Sequence, residues 1–272
     1  MPTRAETANI ERFTDSARRC CTPIWREIEA EAIGSDHGST GYTTVAQAER
    51  ILELLRLAPG DRLADIGSGS GWPALYLAAR SGCLVVGTDL PMEGLRRARA
   101  RAIEDGVARR ASFMMATGRH QPLRAGAFDA VVHTDVLCCL NPKLAVLKAC
   151  RGVLRAGGRL AYTTIHVAEG LSRADHRQAV RAGPPFVTTR RPYVELTEQA
   201  GFVDVVEHDV TDDYARTQAA WYAATEARAE DLIRLTSADA FALAQRDRRR
   251  ARDAIADGLL CRTLIAARTS RG

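Results

Sequence analysis

Apolar positions along this chain follow two rhythms that alternate. Over 44–55, Val45, Ala48, Ile51, Leu52 and Leu55 recur near the 3.6-residue period of a helix buried on one face. Thr44 with Gln47 three residues later predicts a capped N-terminus for it. The run Cys83, Leu84, Val85, Val86 is apolar without interruption, as a strand covered on both faces should be. Strands are predicted at 62–66, 83–88, 111–116, 128–133, 159–165, 202–210 and 259–267. Helices are expected over 91–104, over 192–201, and after Asn141-Pro142, with Asn141 as N-cap and Pro142 as first helical residue.

Repeated strand-then-helix units predict an α/β fold: a seven-stranded, mostly parallel sheet with helices on both faces, plus a helical cap. The rhythm breaks twice. Residues 167–191 are polar and contain Gly183-Pro184-Pro185, which reads as a loop with a short helix. Residues 213–257 form a long helical stretch between the last two strands. The expected divisions are an N-terminal helical cap segment at 1–45, a core at 46–212, a helical lid at 213–258, and a last strand and tail at 259–272.

One strand-to-helix junction carries chemistry: Asp65-Ile66-Gly67-Ser68-Gly69-Ser70-Gly71. Closely spaced glycines between a strand and a helix let a charged small molecule lie against bare backbone at a helix N-terminus. A dinucleotide fingerprint has glycine at its first, third and sixth positions, but Trp72 occupies the sixth here. The pattern Asp-x-Gly-x-Gly-x-Gly instead resembles the first motif of the class I methyltransferases, which bind S-adenosylmethionine (SAM). The spacing Tyr193-x-x-Leu196 followed by Ala200-Gly201-Phe202, with the final strand pair, is similar to the C-terminal part of that fold.

The resemblance implies SAM as cofactor and a transferase that methylates an O, N or C atom of a small-molecule metabolite. A SAM-dependent rearrangement or cyclisation, or a SAM-binding protein without turnover, are the alternatives. It implies cofactor contacts at Asp65, Gly67, Ser68, Gly69, Gly71, Asp89, Leu90, Thr117, Gly118 and His133. Asp65 would face the amino group, and Asp89, about twenty residues past the first glycine, would accept from the ribose hydroxyls. Leu90 would pack on adenine. Many relatives carry an Asp before the fourth strand for the adenine amine; Thr117 stands there, beside Gly118, whose backbone is the other recognition element. Cys138-Cys139 replaces the Glu-His of many relatives and reads as small packing residues.

Methyl transfer to a hydroxyl or acidic carbon gains from a general base, whereas a neutral amine needs only alignment. His166 after the fifth strand, His133 after the fourth and His37 in the N-terminal segment are the candidate bases, with His166 first. Tyr42 is the candidate to close over the sulfonium by a cation–π contact.

Charge and cysteines narrow the partners. The net charge of +5 rests almost wholly on arginines interleaved with acids, since Lys143 and Lys148 are the only lysines. No aromatic platform or zinc-finger spacing accompanies it, so no nucleic-acid partner is expected. The seven cysteines are odd in number and lack any Cys-x-x-Cys, which argues against a disulfide framework or zinc site. No apolar run approaches membrane-spanning length and residues 1–10 are polar, so the expectation is a cytoplasmic protein without membrane contact.

Overall fold

The computed structural model describes residues 4–20, 22–39 and 41–271. Residues 1–3, Cys21, Thr40 and Gly272 lie outside the described residues, and with them part of the 1–45 segment and the tail. Seven strands build one sheet: β1 (Arg62–Ile66), β2 (Leu84–Asp89), β3 (Ala111–Met115), β4 (Phe128–Thr134), β5 (Leu154–Val167), β6 (Val203–Asp209) and β7 (Leu260–Arg268). Their order is β3-β2-β1-β4-β5-β7-β6. The first five run parallel, and β7 lies antiparallel between β5 and β6. The expected seven-stranded α/β sheet is therefore the fold.

Strand alternation sends each side chain to one of two cores. Ala64, Ile66, Val131, Leu160 and Tyr162 face α6 (Lys143–Val153) and α8 (Tyr193–Gln199). Leu63, Ala130, Val132 and Ala161 face α3 (Val45–Leu55) and α4 (Ala74–Ser81). This parity decides where the histidines of β4 and β5 point.

Local signals explain most boundaries. The Thr44 hydroxyl accepts the Gln47 amide at 3.2 Å and starts α3 as predicted. The expected Asn141 cap does not form. Pro142 takes the N-cap position with ψ 57°, outside the helical region, and α6 begins at Lys143 without a side-chain cap. Lys143 turns inward instead, donating to the carbonyls of Leu137 and Leu140 at 2.9 Å and of Phe186 at 2.7 Å. Burial pushes its ammonium pKa down to about 8. Strand β5 runs past the predicted 159–165 at both ends, and its register with β4 shifts between Phe128 and Ala130.

A helical layer covers the C-terminal edge of the sheet. It comprises α1 (Arg4–Cys20), α2 (Pro23–Ile33), α9 (Thr211–Glu226), α10 (Ala229–Leu235) and α11 (Ala238–Ala256). Its own apolar cluster joins Ile28 and Ile33 of α2 to Trp221 of α9, Leu232 of α10 and Trp72 of the glycine junction. None of the six described cysteines is joined in a disulfide, and no helix among the described residues is long and apolar enough to cross a membrane.

Candidate active site

Strand β1 has β2 on one side and β4 on the other, so the chain order reverses about it. Open α/β sheets bind ligands beyond the carboxyl ends of strands at such a switch point. A cavity of about 220 Å³ opens there. Gly67–Ser70 enter it from the end of β1, Asp89 and Leu90 from β2, Gly118 from beyond β3, and Asp135 and Val136 from beyond β4. Helix α1 forms another wall through Ile10, Arg12 and Phe13.

The glycine loop does two different jobs. Gly67 has φ +75°, and a Cβ there would stand 2.5 Å from Val136 Cγ2, so no side chain fits. Gly69 has φ +49° and nothing within 4 Å of a Cβ position: its backbone faces open cleft. Gly71 does not line the cavity, contrary to its expected contact role; a Cβ there would meet Leu75 Cδ1 at 2.6 Å, so it serves helix packing.

Neither acid of this floor, Asp65 or Asp89, has a cation partner among the described residues. Asp89 Oδ2 accepts the Gly69 amide and Oδ1 the Leu90 amide, each at 2.7 Å. Two amides fix the plane of the carboxylate while each oxygen keeps a further lone pair. Burial raises its pKa to about 6, against those amide bonds. Asp65 is buried, and its Oδ2 has no hydrogen-bond partner. Burial first, then the Asp89 charge, hold its carboxyl well above the usual carboxylate range. The hydroxyls of Ser68 and Ser70 are likewise buried and unpartnered. Buried polar atoms left open in one loop are what a polar ligand with donors and acceptors would satisfy. A sulfonium amino acid joined to a nucleoside fits this set.

Several expected site residues lie elsewhere. His133 shares the parity of Val131 and points into the α6–α8 core, stacked 4.5 Å from the Tyr162 ring. It is fully buried, and that burial drives its pKa down to about 3. It does not line the cleft, and near neutrality its ring is the uncharged imidazole. His166 is also turned away: β5 continues through it, so Ile165 faces the cavity while the His166 ring meets Tyr193 edge-on at 6.0 Å. His37 is a tie rather than a base. Its ring bonds Ser35 Oγ and Asp105 Oδ2, both at 3.0 Å, and chiefly burial lowers its pKa to about 4. The Thr117 hydroxyl is used by His120 in a tight turn, and Thr117 is not a lining residue, whereas Gly118 is. Tyr42 does reach the cavity, packed edge-on to Tyr214 at 5.0 Å. Cys138 and Cys139 line it too, with the Cys138 thiol donating to the Asp135 carbonyl at 3.1 Å.

Two residues escaped the sequence reading. Arg262 of β7 is fully buried and grips Asp135 with two bonds of 2.9 Å. The same guanidinium donates to Gln47 Oε1 at 2.7 Å, Thr43 Oγ1 at 3.0 Å and Thr163 Oγ1 at 2.9 Å. One arginine thus ties the loop before α3 to the ends of β4 and β5. The available signal was an arginine in the apolar run 259–265, since a buried cation requires a partner.

A second, larger cavity of about 660 Å³ shares Arg12, Phe13, Ser39, Tyr42 and Pro184 with the first. It runs outward between α1, α9 and α11.

A family described as "Methyltransferase domain" matches residues 64–162, which run from within β1 through the glycine loop into β5. Over that span the chain is similar to the SAM-dependent methyltransferases. Among relatives, it is 32% identical over 165 residues to Methyltransferase GfsG of Streptomyces halstedii, covering 58% of each chain. It is 28% identical over 208 residues to the 27-O-demethylrifamycin SV methyltransferase of Amycolatopsis mediterranei (strain S699), covering 75% of each. Phosphoethanolamine N-methyltransferase 2 of Haemonchus contortus, solved with phosphomonomethylethanolamine and S-adenosylhomocysteine, shares the fold of this chain. The TM-score is 0.78 at 18% identity, over 95% of this chain and 60% of that one.

Proposed function

We propose that the protein transfers the methyl group of SAM to an O, N or C atom of a small-molecule acceptor. The observation that carries this is the open backbone at Gly69 beside an Asp89 carboxylate already held by two amides. SAM, when bound, supplies an electrophilic methyl on a sulfonium. In this reading Asp65 and the Ser68–Ser70 loop hold the amino-acid end, and Asp89 accepts from the ribose hydroxyls. Leu90 packs on adenine, and the Gly118 backbone meets the adenine edge.

The rest of catalysis is alignment. None of the histidines expected as bases lines either cavity, and the phenols of Tyr42 and Tyr214 are pushed above their usual pKa by burial. The described walls offer no imidazole to take a proton from a weakly acidic hydroxyl, and their carboxylates are engaged: Asp135 by Arg262, Asp89 by two amides and Asp247 by Arg250. The chain therefore holds a ready nucleophile in line and excludes water, which is enough for an in-line displacement. Cysteines kept as thiols fit work in a reducing, cytoplasmic interior.

Calorimetric titration with S-adenosylhomocysteine and with NADH tests the cofactor half; methyl-labelled SAM with a metabolite extract tests the transfer. Homocysteine-adduct binding with label in a small molecule is the expected outcome. NADH binding in its place, or label retained only on SAM across extracts, overturns the proposal.

A further inference from the structure

The outer cavity has a charge imbalance that the fold leaves uncompensated. Its described walls contain five arginines, Arg12, Arg19, Arg181, Arg248 and Arg250, and one acid, Asp247. That acid is spoken for by Arg250 at 3.5 Å. Elsewhere in the molecule inward-facing arginines are matched: Arg262 by Asp135, and Arg101 by Asp36 and Asp105. Arg248 has no such match among the described residues. Its guanidinium lies 5.9 Å over the Trp25 ring, and desolvation pulls its pKa below the usual arginine value. A partly buried cation without a carboxylate is costly unless an anion arrives.

A second observation points the same way. Trp221 is nine-tenths buried in the same wall, and its indole N–H has no partner. That group only donates, so it too waits for an acceptor. Around these donors stand the rings of Phe13, Trp25, Tyr214 and Phe241. They offer flat apolar surface to a bulky body.

Resting on the methyl-transfer reading, we propose that the outer cavity is the acceptor chamber and that the acceptor is an organic anion. Its carboxylate or phosphate meets Arg248 and the Trp221 N–H, and its apolar body lies between the aromatic rings. Tyr42, common to both cavities, stands at the passage between chamber and cofactor cleft.

Fluorescence titration with two dyes of nearly equal body tests this. The probes are 1-anilinonaphthalene-8-sulfonate and neutral N-phenyl-1-naphthylamine, with saturating S-adenosylhomocysteine and without it. The intact protein should bind the anionic dye on the order of tenfold more tightly, the worth of one hydrogen bond to a charged group. Arg248→Met should remove that preference and leave neutral-dye affinity within about twofold, while Arg248→Lys restores part of it. Arg181→Gln, an exposed-site change that spares packing, should reduce it by a smaller factor. 1-Naphthoate and 1-naphthyl phosphate then compete, and the better displacer names the headgroup. Equal affinity for both dyes, parallel losses in Arg248→Met, or displacement by neither naphthyl anion overturns the inference. Failure of S-adenosylhomocysteine to bind strikes the methyl-transfer reading alone, because the dye comparison is also made without it.

Discussion

The floor of the site and its roof are made of different materials. The floor, at the ends of β1 and β2, is backbone: glycine Cα atoms, amides and one carboxylate fixed by amides. The roof, from α1, α9 and α11, is side chain: arginines and aromatic rings converging from segments two hundred residues apart. A backbone site is dictated by a few consecutive residues. A side-chain site is dictated by how distant helices pack. The difference teaches why a cofactor, shared across many enzymes, is held below and an acceptor, particular to one, above.

The sharpest way to break that division is to cut the strap between its halves. Arg262→Met removes the cation from Asp135, Gln47 and Thr43 and leaves Asp135 charged beneath the roof. Stripping one partner from a buried pair costs about 3–5 kcal/mol. Urea unfolding should show that loss, and a change below about 1 kcal/mol would mean the strap is idle.

Next in size, Asp89→Ala probes the floor alone. It should weaken S-adenosylhomocysteine by about 1.5–3 kcal/mol, read by calorimetry, with the outer cavity unaffected. The pH dependence adds a signature. Asp89 has its pKa raised to about 6, so cleft carboxylate is lost as pH falls below that value. Because ionisation frees both oxygens to accept and strengthens those bonds, affinity in the intact protein should rise between pH 5 and 7, and this Asp89-linked rise should vanish in the variant. The same shift works oppositely on the free protein. The folded state binds the extra proton between the unfolded carboxylate range and pH 6, so this group makes stability fall as pH rises through that window.

Gly69→Ala sharpens the comparison at smaller cost. The methyl would stand in open cleft, so stability should fall by only about 1 kcal/mol, the penalty of a left-handed alanine. Ligand affinity should fall about tenfold, because the space was the ligand's. Equal losses in both would make this glycine a turn residue and nothing more.

What the sequence made legible follows the same split. The Thr44 cap, the uninterrupted apolar β2 and the glycine loop are local and were readable, as was Asp89 from its distance along the chain. The strap was not: Arg262 and Asp135 are 127 residues apart, and their meeting needs β7 inserted beside β5. The chamber was unreadable for a related reason, since Trp25, Trp221 and Arg248 converge only through the packing of α2, α9 and α11. His133 and His166 failed on parity. Placing a residue just past a strand end says nothing of its face until the strand's true end is known, and β5 runs on through Val167.

His166→Ala is the smallest expected effect and the most informative about chemistry. If the site works by alignment, a ring packed on Tyr193 behind the sheet cannot take the acceptor's proton. Turnover should stay within about twofold of the parent, with a similarly small stability change for a partly exposed side chain. A fall of a hundredfold or more in turnover, with binding of cofactor intact, is the scale general-base catalysis supplies. That result would demand a rotation of β5 upon closure, bringing residue 166 around the sheet edge, and would move the catalytic weight from the roof's arginines back to the floor.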